Sequence, residues 1–228
     1  MVVQRIFKIW WAAAKIETTG LVMLSTGWVF YSRNSKFVTY TTAEPEFGNK
    51  FWKTRNPHNN PPVCIDMCEK KVSLSQLKTT DSEALTRGFA SGVFGGWGFE
   101  IQRRLLERSN RTLEGRDGDL WEREDLAKSQ YQEGTRIADH FEVVARTPTQ
   151  VAVRCGDSPT ERGLRGSDGV FSMEVDKDDK FAYFRMKSFF FNSTPEGASA
   201  GPLSPVMQFL HRQYTKVWME FSVRQLLK

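Results

Sequence analysis

The chain's 228 residues are enough for one substantial domain and a tail, and too few for two ordinary domains with a linker. Its 32 basic and 27 acidic residues leave a net charge of +5, but the basic residues are scattered among acidic ones and form no stripe with interleaved aromatics, which argues against nucleic acid as a partner. Three cysteines, two of them at Cys64 and Cys68 without a second pair, and three histidines fall short of a zinc ligand set, so buried or surface thiols are expected, with no metal.

In chain order, residues 6–31 come first. Ile6-Phe7, Ile9 to Ala14 and Leu21 to Tyr31 are apolar or nearly so, flanked by Arg5, Lys8, Arg33 and Lys36 and interrupted by Lys15 and Glu17. A spanning helix needs about 20 mostly apolar residues, and central charges oppose insertion. The aromatic clusters Trp10-Trp11 and Trp28-Phe30-Tyr31 nevertheless lie about 17 to 20 residues apart, as belts at two interfaces would. Two readings stand: an N-terminal hydrophobic helix over 1–36 attached to a membrane, or the same helix packed on a soluble domain. The first places the protein at a membrane, the endoplasmic reticulum by expectation, with a single N-terminal anchor. Basic residues flank both ends of the run, so the positive-inside rule does not set its orientation.

Residues 37–62 have the composition of a connector, with Pro45, Gly48, Pro57, Asn59-Asn60 and Pro61-Pro62 and no clear period. A single domain is then expected over 63–228. Val63 to Leu77 reads as a short strand and turn. Thr80-Asp81-Ser82-Glu83 offers a cap and an acidic first turn, so a helix starts there. It runs into Gly88, Gly92, Gly95-Gly96 and Gly98. Glycine costs a helix roughly 1 kcal/mol relative to Ala, so these positions imply a break or a close backbone approach. No strand clearly precedes them and no Gly-Lys-Ser/Thr follows, which excludes a phosphate-cradling loop. The helix resumes from Phe99 to Ser109. A polar loop follows, and Asp119 is placed to cap a short helix containing Leu120, Trp121 and Leu126.

Gly134 to Asn192 carries two alternating apolar and polar patterns, each broken by a turn, the mark of two antiparallel hairpins. In the first, Ile137, Phe141, Val143, Val151, Val153 and Cys155 share one face, and His140, Glu142, Gln150 and Arg154 share the other. Arg146-Thr147-Pro148-Thr149 turns the chain. In the second, Phe171, Met173 and Val175 alternate with Ser172 and Glu174; Asp176 to Asp179 makes the tip, and Lys180 to Asn192 returns as a long aromatic strand. Ser193 to Pro205 is a flexible loop, after which Ser204 caps a helix over Pro205 to Leu227 with a proline in its first turn. One face of the sheet must be covered by something apolar. That long helix is the expected partner, and the two are the expected walls of a core or pocket. The fold class is α+β. Sequons at Asn110-Arg111-Thr112 and Asn192-Ser193-Thr194 fall in expected loops.

Gly134-Thr135-Arg136-Ile137, Phe141 to Arg146, Gln150 to Val153, and Leu210-His211-Arg212-Gln213-Tyr214 opening the last helix together resemble the DUF2867-like proteins of the START-like, or helix-grip, superfamily. The likeness is a pattern of hairpins followed by a His-bearing helix and covers about residues 63–228. It implies a curved antiparallel sheet gripping the C-terminal helix around an apolar cavity, the usual ligand site of that superfamily. With its tether, the chain is also similar to small proteins encoded in fungal natural-product clusters.

Met207, Leu210, His211, Tyr214, Trp218 and Phe221 form one stripe of the last helix by their three- and four-residue spacings. His211 and Tyr214 would thus face the sheet as a proton donor and acceptor, and Arg185 on the last strand would hold a substrate carbonyl or carboxylate. Each has an ordinary alternative: a histidine bonded to a backbone carbonyl, a solvated arginine. Asp139 and His140 are adjacent on a strand, point to opposite faces and make no acid–base pair. Three functions are compatible. The first is a cofactor-free cyclase or isomerase acting on an apolar polyketide- or terpenoid-like metabolite. The second is a non-catalytic subunit that tethers or stabilises membrane-bound biosynthetic enzymes. The third is a carrier of hydrophobic ligands.

Overall fold

The computed structural model describes residues 27–228. Most of the expected N-terminal hydrophobic helix therefore lies outside the described residues. Of the described residues, 27–34 group apart from the rest, and 27–31 are helical. Among the described residues no helix is long and apolar enough to cross a membrane.

The second unit, Ser35–Lys228, is an α+β domain built on one seven-stranded antiparallel sheet. Its strands are β1 (Ser35–Val38), β2 (Cys64–Ser73), β3 (Arg136–Ile137), β4 (Phe141–Thr147), β5 (Gln150–Gly156), β6 (Asp168–Lys177) and β7 (Phe181–Phe191). Their spatial order is β1-β2-β7-β6-β5-β4-β3. Both hairpins fall where the alternation puts them, with turns at Pro148-Thr149 and at Asp178 to Lys180. A register shift between Val143 and Ala145 bends β4, as a bulge does. Five helices complete the domain: α1 (Lys50–Arg55), α2 (Ser82–Phe94), α3 (Trp97–Asn110), α4 (Arg123–Lys128) and α5 (Pro205–Arg224).

Caps set the ends of the two helices that build the core. Asp81 accepts from the Ala84 backbone N–H at 2.8 Å to open α2, and Ser204 accepts from Met207 at 3.4 Å to open α5, with Pro205 in the first turn. Asp119 does not cap α4. Its carboxylate is spent on Arg136, at 2.9 Å, and on the Asp139 backbone N–H, at 2.8 Å. α4 begins after Glu122 with no side-chain cap.

Period two sorts the strands into two faces. On the inner face, Phe141, Val143, Val151, Val153, Phe171, Met173, Phe184 and Met186 meet α2 and α5 in the main core. Trp218 of α5 stands at its centre, with ring centroids 5.3 Å from Phe171, 6.0 Å from Phe99 and 6.2 Å from Phe94. Lys70 and Ser35 both donate to the buried Glu220 carboxylate, the latter at 2.6 Å, which ties α5 to β1 and β2. The space between sheet and last helix is thus a packed aromatic core.

The outer face is covered too. Residues 37–62, expected to be a connector, instead belong to the domain: β1 extends the sheet, and the following segment, residues 40–56, crosses back over the outer face as a strap containing a short 3-10 turn and α1. Phe47 and Trp52 of the strap lie with ring centroids 4.7 and 5.0 Å from Phe189 of β7. The side-chain amide of Asn60 fixes the strap's exit by donating to the Asn192 and Thr194 carbonyls, both at 2.7 Å.

Candidate functional site

Between strap and sheet lies a cavity of about 90 Å³, lined by Tyr40, Glu46 and Trp52 of the strap and by Gln150, Ser172 and Lys187 of the strands, among others. Three strands deliver its floor through one alternation. Gln150 stands opposite Glu174 on β5 and β6, and Ser172 opposite Lys187 on β6 and β7, all on the outer face. Aromatic side chains of the strap and Phe189 make the wall. A mainly apolar wall with a few convergent polar groups is the usual make-up of a small-molecule site.

Lys187 is the hub. Its ammonium donates to Glu46 of the strap at 2.9 Å and lies 3.0 Å from Glu174 of the sheet, so a single cation bridges cover and floor. Gln150 and Ser172 donate to the other Glu174 oxygen at 2.8 and 2.9 Å, and Tyr40 donates to Glu46. Burial lowers the Lys187 pKa, but the Glu174 and Glu46 carboxylates outweigh it and hold the ammonium above its usual range. Burial also pushes the Tyr40 hydroxyl well above its ordinary value, helped by Glu46. Near neutrality Tyr40 keeps its proton and Lys187 its charge. The group then carries one cation against two carboxylates, so its surplus charge is negative.

The three residues expected to form a site are not brought together. His211 and Tyr214 are on α5, on the inner side, but each has its own partner. His211 Nε2 lies 3.4 Å from Asp66 of β2, while the Tyr214 hydroxyl donates to Gln102 of α3 at 2.9 Å with its ring against Trp218. Burial pushes the Tyr214 pKa up, away from the range where it would exchange a proton near neutrality. Arg185 faces the other way. As an odd-numbered residue of β7 it lies on the outer face, where it donates to Glu69 at 2.7 Å and reaches Asp176 at 3.5 Å. Residues of β7 facing α5 are the even ones, Phe184 and Met186 among them.

A second polar cluster is structural. Ala138 and Asp139 both adopt positive φ, 52° and 50°, at the corner between β3 and β4. The Asp139 carboxylate holds that corner by accepting from Asn110 at 3.0 Å and from Ser158, and by pairing with Arg116 at 3.0 Å. Asn110, expected in a loop, is thus the last residue of α3 with its amide engaged. Beside it, burial pushes His140 down to about 4 against the opposing charges of Asp139 and Asp157.

Tyr40 and Glu46 escaped the reading of the sequence because the strap looked like a linker, and Lys187 of β7 escaped it because one of its two carboxylate partners, Glu46, comes from that strap. A signal was present in Phe189-Phe190-Phe191: an apolar residue on both faces of one strand means that both faces are covered. Comparison with protein-family models, with curated proteins and with solved structures finds no match for this chain.

Proposed function

We propose that the domain is a non-catalytic binding module of helix-grip type, which holds the donor-bearing end of an amphiphilic small molecule between the strap and the outer face of the sheet. The order of elements, β2, a helical segment, β3 to β7 and a last helix against the sheet, is compatible with that architecture. The observation that carries the reading is Lys187 joined to Glu46 and Glu174 under an aromatic cover. Surplus negative charge favours an amine or hydroxyl head group, and Trp52, Phe51 and Phe189 suit the apolar portion next to it.

Size and proton chemistry both favour binding over cyclisation. A cavity of about 90 Å³ accepts a head group or several waters, whereas enclosing a drug-sized molecule takes about 300 Å³ or more. A general acid or base works best with a pKa near the operating pH, and Tyr40 and Lys187 are both displaced upward from theirs. The cyclase or isomerase reading required His211, Tyr214 and Arg185 to act together, and Arg185 lies on the opposite face. Membrane attachment through residues 1–36 remains part of the proposal on the strength of the sequence, and would place the module where amphiphiles are found.

The test is titration of the full chain with dodecylamine and with dodecanoate, followed by tryptophan fluorescence and competition. The amine is expected to bind more tightly than the carboxylate, and Glu174→Gln to weaken it by about tenfold or more, the scale of one charge-assisted bond. Equal affinity for the two probes, or binding that ignores Glu174→Gln and Trp52→Ala, overturns the reading. Turnover of a substrate that is lost in Lys187→Met while the fold persists would replace it with a catalytic one.

A further inference from the structure

Outside the strap cavity, the end of β2 nearest the start of α5 gathers one sulfur, one oxygen and one nitrogen donor. Cys64 and Asp66 are two residues apart on β2, so the strand's period of two turns both toward the inner side. His211 arrives from α5, 145 residues later in sequence than Asp66. The His211 Nε2 lies 3.4 Å from Asp66 Oδ1, the Cys64 Sγ lies 3.9 Å from Asp66 Oδ2, and the three donor atoms all fall within 4.8 Å of one another. We propose that Cys64, Asp66 and His211 form a binding site for a thiophilic divalent cation of the Zn²⁺ class.

The Asp66 carboxylate supplies an independent reason. It is only 2% exposed, yet its approaches from His211, Arg212 and Cys64 are 3.4, 3.6 and 3.9 Å. A buried carboxylate in a settled ion pair has partners at about 2.7–2.9 Å. Here the partners surround the group without closing on it. An ion held tetrahedrally, at about 2.0 Å from N or O and 2.3 Å from S, sets its donors roughly 3.3–3.5 Å apart, so closing donor separations of up to 4.8 Å by about 1.3 Å or less completes the arrangement. Mixed thiolate, imidazole and carboxylate donors suit Zn²⁺ and not Mg²⁺ or Ca²⁺, which take oxygen. Three protein donors leave the fourth position to water or an external ligand, the donor count of an open zinc site. Arg212 stays beside Asp66 Oδ2 as an outer partner that orients the carboxylate, and the Phe190 ring, 5.3 Å from the imidazole, limits its rotation.

Co²⁺ is a spectroscopic substitute for Zn²⁺ and decides the matter. The full chain, stripped with a chelator and titrated with Co²⁺, is expected to show a thiolate-to-metal charge-transfer band and d–d absorption of tetrahedral intensity, both abolished by one equivalent of Zn²⁺. Cys64→Ser should remove the charge-transfer band. Asp66→Asn and His211→Gln should each weaken binding by more than about 100-fold, the upper end of what losing an outer-shell partner costs. Cys68→Ser changes another buried thiol of the same strand face and should leave the spectrum intact. Circular dichroism of each variant checks that it is folded. A folded wild-type chain without the charge-transfer band overturns the proposal, as does a band that survives Cys64→Ser or disappears in Cys68→Ser.

Discussion

His140 gives the domain a pH dependence of its own. Its folded pKa of about 4 lies below the ordinary value near 6.5. Between those values the unfolded chain takes up a proton that the folded chain refuses, so stability is fully present above about pH 6.5 and declines as the pH falls toward 4. A tenfold weaker hold on the proton is worth about 1.4 kcal/mol, so the loss reaches up to about 3 kcal/mol. Carboxylates elsewhere also titrate in that range. The prediction is therefore a difference: urea midpoints of wild type and His140→Gln should diverge between pH 7 and pH 4, the wild type losing more. Parallel curves would place His140 in solvent. Roles at this scale were the least legible in the sequence. His211, Tyr214 and Arg185 stand out by their chemistry, and their surroundings depend on Gln102, Asp66 and Glu69, which are distant in the chain. Helical spacing puts His211 and Tyr214 on one stripe but not against one partner.

Elements were read more easily, because their signals are local. The hairpin turns and the caps at Asp81 and Ser204 follow from alternation, charge and a proline within a few residues. The glycines of α2 were legible as a question. Continuous helix through Gly88 and Gly92 answers it with close approach, and the break comes only at Gly95-Gly96. A Cβ at Gly92 would meet the Ser222 Cα at 2.6 Å and its carbonyl oxygen at 2.9 Å, both backbone atoms of α5. At Gly88 it would meet only the end of the Leu226 side chain, also at 2.6 Å, and that end can swing away. Gly92→Ala should thus cost about 2 kcal/mol, overpacking outweighing the gain in helix propensity. Gly88→Ala should stay within about 1 kcal/mol of wild type. Equal effects in thermal unfolding would mean that α2 and α5 can separate freely. What the elements did not disclose was the strap, whose short turns lack any period and whose role depends on the face it covers.

At the scale of the whole domain, Ser35–Lys228, two layers of unequal kind flank one sheet. The inner layer is a fused aromatic core, whereas the strap is held by Phe47 and Trp52 against Phe189, by the Glu46–Lys187 pair and by Asn60. Segments with few buried contacts open at lower free energy than the core. Amide exchange in peptides spanning 40–56 should therefore proceed through local opening, well ahead of 168–191, and an amine bound beneath the strap should slow it selectively. Exchange of both regions only through global unfolding would show that the strap belongs to the core.

The tie from α5 back to the first strands has a further consequence, for synthesis. Glu220 holds Ser35 and Lys70, and at the last residues the Lys78 N–H donates to the Leu226 carbonyl while the Lys228 N–H donates to the Gln76 carbonyl, at 2.9 and 3.0 Å. β2, made early, pairs with β7, made late, through ten registered residues. A chain emerging from the ribosome therefore carries the part of its inner sheet face that lies under α5 uncovered until that helix has been released, and closure of the domain waits on the synthesis of α5. Chaperones that shelter nascent apolar surface would meet this protein during its elongation, and stalling before Pro205 should leave it open to proteases.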